Sequence, residues 1–116
     1  MAAARIIAMN AQEFLSLADQ CLAGIARWLE DFDPDEVDYN RGDGSLTIEF
    51  PDGARFILSR QAATTQLWVA AGASAWHYNW DASQRAWLND KDGHELRSRL
   101  AEALSEKLGR TVEAPN

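Results

Sequence analysis

A chain of 116 residues with 47% apolar and 25% charged side chains has the size and balance of one globular domain, too short for two cores and too apolar to stay disordered. Its formal charge of −7 is concentrated, because Glu30, Asp31, Asp33, Asp35, Glu36 and Asp38 fall between Trp28 and Asn40 with no Lys or Arg among them. Phosphate contacts need the opposite sign, which argues against nucleic acid as a partner, and no apolar run approaches the roughly 20 residues of a membrane span.

In chain order, residues 1–8 read as a loose extension, too short and too weakly basic for a signal peptide, with Met9 an alternative start and 9–116 the single domain. Phe14, Leu17, Ala18, Cys21, Ile25, Trp28, Leu29 and Phe32 recur at spacings of three and four, predicting an amphipathic helix from about Asn10 to Phe32. Asn10 with Glu13 forms a capping pattern, and Pro34 is expected to stop the helix. The period then changes to two. Val37–Asn40, Leu46–Phe50 and Ala54–Ser59 read as strands separated by Gly42-Asp43-Gly44 and Pro51-Asp52-Gly53. Gln66–Ala71, Ala75–Trp80 and Arg85–Asn89 continue the series. Leu96, Leu100, Leu104 and Leu108 define a last helix from about His94, with Asp92 as its expected cap and Gly109 just past its end. Helix, six antiparallel strands, helix is the order of a two-layer α+β sandwich, both helices on one sheet face and the other face open.

No nucleotide loop, paired-cysteine or HExxH zinc motif, or nucleophile elbow occurs, and no catalytic residue is assigned. Asp31, Asp33 and Asp35 resemble the start of an EF-hand loop, but Pro34 interrupts it, Glu36 replaces its glycine and Gly42 falls where the bidentate Glu belongs. Cys21 lies on the apolar stripe and reads as a buried structural thiol; as the single cysteine it permits no internal disulfide, which fits a reducing cytoplasm. His77 and His94 read as structural histidines in a strand and a first helical turn.

The acidic window has a bland reading, a solvated face, and a functional one. Glu30 and Asp31 are expected in the last helical turn, where the macrodipole disfavours carboxylates, and no base relieves their repulsion. Such a ridge offers hard oxygen ligands for Ca²⁺, Mg²⁺, Mn²⁺ or iron in an open, weak site, and equally a steering surface for a basic protein. Of the five tryptophans, Trp28 reads as core, whereas Trp68 is expected on the open face if Leu67, Val69 and Ala71 face the helices. Trp76, Trp80 and Trp87 keep a second possibility alive, an aromatic ligand- or carbohydrate-binding module.

From Phe14 to Leu108 the chain resembles the frataxin family, most closely its bacterial CyaY type. The likeness rests on Leu17-Ala18-Asp19-Gln20, Glu30-Asp31-Phe32-Asp33, Leu46-Thr47-Ile48-Glu49-Phe50 with Gly53, Ser59-Arg60-Gln61, Gln66-Leu67-Trp68-Val69-Ala70 and Trp76-His77-Tyr78. Ala26-Arg27, Ser59 and Trp76 depart from the pattern: bacterial relatives often carry a Glu pair, Asn and Tyr there. The resemblance implies a cytoplasmic, non-enzymatic regulator of iron–sulfur cluster assembly, a monomer with iron-dependent oligomers as a variation. By position it implies weak Fe²⁺ or Fe³⁺ binding at Asp19, Glu30, Asp31, Asp33, Asp35, Glu36 and Asp38. It also implies docking of a cysteine desulfurase on Glu30, Asp31 and Asp33, and contact of Arg60, Gln61, Gln66 and Trp68 with the assembly machinery, the iron–sulfur scaffold protein included.

Overall fold

Asn10 starts the first helix as its side chain accepts from the Glu13 N–H at 2.8 Å while Glu13 reaches back to the Asn10 N–H at 3.3 Å, satisfying two otherwise orphaned donors. In the computed structural model, which describes residues 9–115, this helix is α1, Ala11–Leu29. The extension expected at 1–8 lies outside the described residues. Phe14, Ala18, Leu22, Ile25 and Leu29 are buried almost completely, and Ala26 nearly so. The stripe is therefore centred on Leu22, with Leu17, Cys21 and Trp28 at its margins.

Six strands follow: β1 Asp38–Gly42, β2 Ser45–Glu49, β3 Arg55–Gln61, β4 Gln66–Ala71, β5 Ser74–Asp81 and β6 Ala86–Asn89. Each pairs antiparallel with the next, giving one sheet in sequence order. Helix α2, Leu96–Leu108, closes the chain and ends at Gly109 in the left-handed conformation. The expected sandwich is the observed one. Leu46, Leu58, Val69 and Trp76 stand in register across β2 to β5, and all four side chains face the helices. Tyr78, with no exposed surface, and Trp87 extend this face toward the β6 edge, where Phe14 meets Trp87 edge-on at 6.0 Å. On the other face lie Ile57, Ala70, Trp68 and His77, and Ile57 is 43% exposed.

Two boundaries differ from the sequence reading for identifiable reasons. Helix α1 stops at Leu29, five residues before Pro34, which instead sits second in a turn closed by the Glu36 N–H donating to the Asp33 carbonyl at 2.8 Å. At the other end Asp92 does not cap α2. Glu95 does, its carboxylate accepting from the N–H groups of Arg97 and Ser98, while Asp92 holds His94 outside the helix. His94 accordingly belongs to the preceding loop rather than the first turn. Its ring bridges Asp92 at 2.5 Å and the Tyr78 hydroxyl at 2.7 Å.

The β1–β2 turn, Asp43-Gly44, needs its glycine twice over. Gly44 has φ of 71°, and a Cβ there would fall 2.6 Å from Arg60 Nε. Arg60 lies across this turn and ties it to α1, with Nη1 on Asp19 at 2.6 Å and Nη2 on Asp43 at 3.1 Å.

The two sheet faces should respond differently to truncation. Leu58→Ala is expected to cost about 2–5 kcal/mol, read as a shift of the urea midpoint at unchanged slope, whereas Ile57→Ala next to it should cost well under half as much.

Candidate functional site

The acidic segment is held outward by the apolar residues between its carboxylates. Leu29 and Val37 are each only 1% exposed, and Phe32 packs on the core with its ring edge-on to Trp28 at 5.3 Å. With those three pinned inward, Glu30, Asp31, Asp33, Asp35 and Asp38 are exposed and Glu36 is half-buried. The Asp33 side chain accepts from the Asp35 N–H at 2.9 Å, which fixes the turn on which the central carboxylates stand. Glu30 is the C-terminal cap of α1 and Asp31 lies beyond it, so only Glu30 meets the negative helix end directly. That carboxylate has relief, a 2.7 Å bond from the Tyr39 hydroxyl.

Two bases approach the ridge from the C-terminal side. Arg110 pairs with Glu36 at 2.5 Å, and Lys107 pairs with Asp52 in the β2–β3 turn. An open depression of about 490 Å³ lies between these elements, lined by Asp33, Asp35, Glu36 and Asp52 among others. Glu49 stands opposite Asp38 in the β1–β2 register and carries the negative surface onto the open sheet face. Neither Asp52 nor Glu49 was among the expected ridge residues; the register that brings Glu49 to Asp38 follows from the short Asp43-Gly44 turn. Among the described residues no three His, Cys, Asp or Glu side chains converge as metal ligands. The carboxylates form a row and not a cage.

The remaining expected site residues divide. Asp19 is engaged by Arg60, and that guanidinium faces α1 instead of the open sheet face. The family resemblance grouped Arg60 with Gln61, Gln66 and Trp68, but strand alternation separates it from them: its register partner is the fully buried Leu67. Ala26 is buried against the core, so only Arg27 of the departing pair reaches the surface.

On the open face Trp68 stacks on His77, with ring centroids 4.3 Å apart and planes 18° from parallel. Its indole N–H donates to Gln66 Oε1 at 3.0 Å, and the Gln66 amide donates to Asn79 at 3.2 Å and Asp90 at 3.4 Å. Gln61 faces Gln66 in register and bonds Ser59 at 3.0 Å. The result is a flat aromatic–amide surface whose side chains hold one another in place, the property that lets an exposed tryptophan act as an anchor.

Residues 7–110 match the frataxin-like domain. The chain belongs to the frataxin family. Among frataxins it is similar to the iron–sulfur cluster assembly protein CyaY of Thioalkalivibrio sulfidiphilus (strain HL-EbGR7), with 38% identity over 96 residues covering 82% of this chain and 90% of that protein. The iron–sulfur cluster assembly protein CyaY of Dechloromonas aromatica (strain RCB) is 35% identical over 105 residues, covering 90% and 97%. The solved frataxin from Psychromonas ingrahamii superposes with a TM-score of 0.81 at 31% identity, covering 90% of this chain and 97% of that one. The frataxin arrangement of two helices on a six-stranded antiparallel sheet is thus found by fold and by sequence alike.

Two side chains report on this environment. The bond to Glu30 holds the Tyr39 phenol above its ordinary range, so the contact contributes stability below the usual tyrosine pKa and loses it as pH rises through the raised value. Glu30→Ala should bring the Tyr39 titration back down toward about 10, followed by its ring NMR signals. Burial pushes the Cys21 thiol up to about 12. It should resist a disulfide reagent at pH 8 in the folded protein and react fully in denaturant, a comparison read by absorbance.

Proposed function

We propose that this frataxin acts in iron–sulfur cluster assembly as an adaptor that docks on a cysteine desulfurase through its acidic ridge and carries iron there weakly. The observation behind this is the row of exposed carboxylates from Glu30 to Asp38, held outward by Leu29, Phe32 and Val37 and short of neutralising partners. The assembly role itself rests on the names of the CyaY relatives.

A row of like charges standing on apolar anchors does two things well. It raises the encounter rate with a basic surface, in a manner that salt screens over about 8–10 Å. It also offers hard oxygen donors to Fe²⁺ or Fe³⁺ without enclosing the ion, which favours rapid exchange over storage. Iron is cargo in this reading, which assigns no side chain a role in changing its oxidation state. Gln61, Gln66 and Trp68 on the open face form a second contact, fitted to the scaffold protein on which clusters are built. Asp19 and Arg60 serve by bracing α1 against the β1–β2 turn rather than by touching a partner. The carbohydrate-binding alternative loses support because Trp76, Trp80 and Trp87 all lie on the helix-covered face, packed against or within the core. In this reading, which follows the family resemblance, the protein is a cytoplasmic regulator and not an enzyme.

Reversing Asp31 and Asp33 together to Lys should weaken desulfurase binding by about tenfold or more at low ionic strength, and raised salt should produce a similar loss in the unmodified protein. Binding that survives the reversal would refute ridge docking. In a separate Fe²⁺ titration the amides of residues 30–33 and 35–38 should broaden first, and broadening elsewhere alone would refute iron at the ridge.

A further inference from the structure

Apart from the ridge and the open face, a cavity of about 200 Å³ lies between α1, the β5–β6 hairpin, the start of α2 and the C-terminal segment. Among the described residues its wall includes three arginines, Arg27, Arg85 and Arg97, against one acidic residue, Glu95. The Glu95 carboxylate is already committed, capping α2 and accepting from Arg97 Nε at 3.2 Å. Arg27 and Arg85 are exposed and have no carboxylate partner among the described residues, in a chain whose acids outnumber its bases 18 to 11. The apolar part of the wall is aromatic: Trp80 is half-buried, and its ring meets the buried Trp87 edge-on at 5.5 Å.

Gly24 supplies a second, independent observation. It lines this cavity from the interior of α1, where glycine is less favourable than alanine. Packing does not demand it, since a Cβ there would meet only the Arg27 guanidinium, at an ordinary 3.7 Å. What glycine does at this position is keep the groove beside α1 open.

We propose that the cavity binds a small planar organic anion, with its ring against Trp80 and its carboxylate or phosphate held between Arg27 and Arg85. Guanidinium forks match both headgroups in planar, two-point geometry, and a local excess of positive charge on an acidic protein concentrates anions at this one place. The volume is below the roughly 300–1,000 Å³ of drug-sized sites, which limits the ligand to about a single ring. None of the residues invoked belongs to the ridge or to the open-face patch, so this site stands or falls apart from the assembly role.

The test is an NMR titration of the isotope-labelled full chain with benzoate and, separately, phenyl phosphate, with inorganic phosphate and benzyl alcohol as charge-only and ring-only probes. Saturable shifts are expected at the amides of Gln20, Gly24, Arg85 and Ala86 and at the Trp80 indole, with at least one aromatic anion binding about tenfold or more tighter than either control. The better of the two identifies the headgroup. Arg27→Gln with Arg85→Gln should weaken binding by about tenfold or more, Gly24→Leu should abolish it, and Trp68→Ala should leave it unchanged. Should Gly24→Leu disturb the helix, the two exposed arginine substitutions still decide. No saturable shift with either anion, shifts that survive loss of both arginines, or inorganic phosphate binding equally well would each overturn the proposal.

Discussion

Leu46, Leu58 and Val69 point the same way from three adjacent strands, and the helices from the two ends of the chain lie over them. Almost everything else about the molecule follows from this one-sided burial. A helix stripe as apolar as that of α1 has to be covered, and the sheet can cover it with one face only. The opposite face is consequently left to residues that can live in water, among them Thr47, Gln66 and Asn79, with Ile57 and Trp68 as large apolar exceptions. On a sheet face that no helix covers, such exceptions need an explanation. For Trp68 the explanation begins with the stack on His77 and the bond to Gln66, which keep a large ring fixed without burying it.

The charge distribution is shaped by the same constraint. The connection from α1 to β1 must cross the end of the sandwich, and it does so on Leu29, Phe32 and Val37, with acids filling the positions between them. Those acids gather at the β1 edge, whereas Arg85 stands in the hairpin leading to β6 at the far edge. Dissolved salt screens each of these two surfaces from the other beyond roughly a Debye length, so they can act separately.

Most of the fold was legible in the sequence because two periodicities are cleanly expressed: fours and threes in the helices, twos in β2 and β4. What failed was local competition between caps and turns. Pro34 looked like a helix stop, but the Asp33-Pro34 pair makes a turn of its own and α1 ends sooner. Asp92 was the expected N-cap, but Glu95 caps α2 while Asp92 and the Tyr78 hydroxyl hold His94 in the preceding loop. Leu22 was passed over in favour of its neighbour Cys21 because one step along a helix turns the stripe by about 100°. The ridge was visible as composition, yet Glu49 and Asp52 join it only through strand register and turn placement. Arg60 shows the converse, a residue that the family resemblance grouped with the open face while strand alternation put it on the other.

The sequential order of the strands also bears on how the chain reaches this state. Each strand pairs with the one made just before it, so the sheet can assemble by short-range zippering, the kind of topology that folds quickly for its size. Helix α1 is an exception. It is synthesised first, but the inward residues of the core it joins run from Val37 to Trp87. A growing chain therefore displays Phe14, Leu22, Ile25 and Leu29 on an uncovered stripe until most of the domain has left the ribosome, an interval in which a hydrophobic helix is open to capture by other chains or by chaperones. The end of synthesis, rather than its beginning, sets the moment at which this protein becomes safe from aggregation.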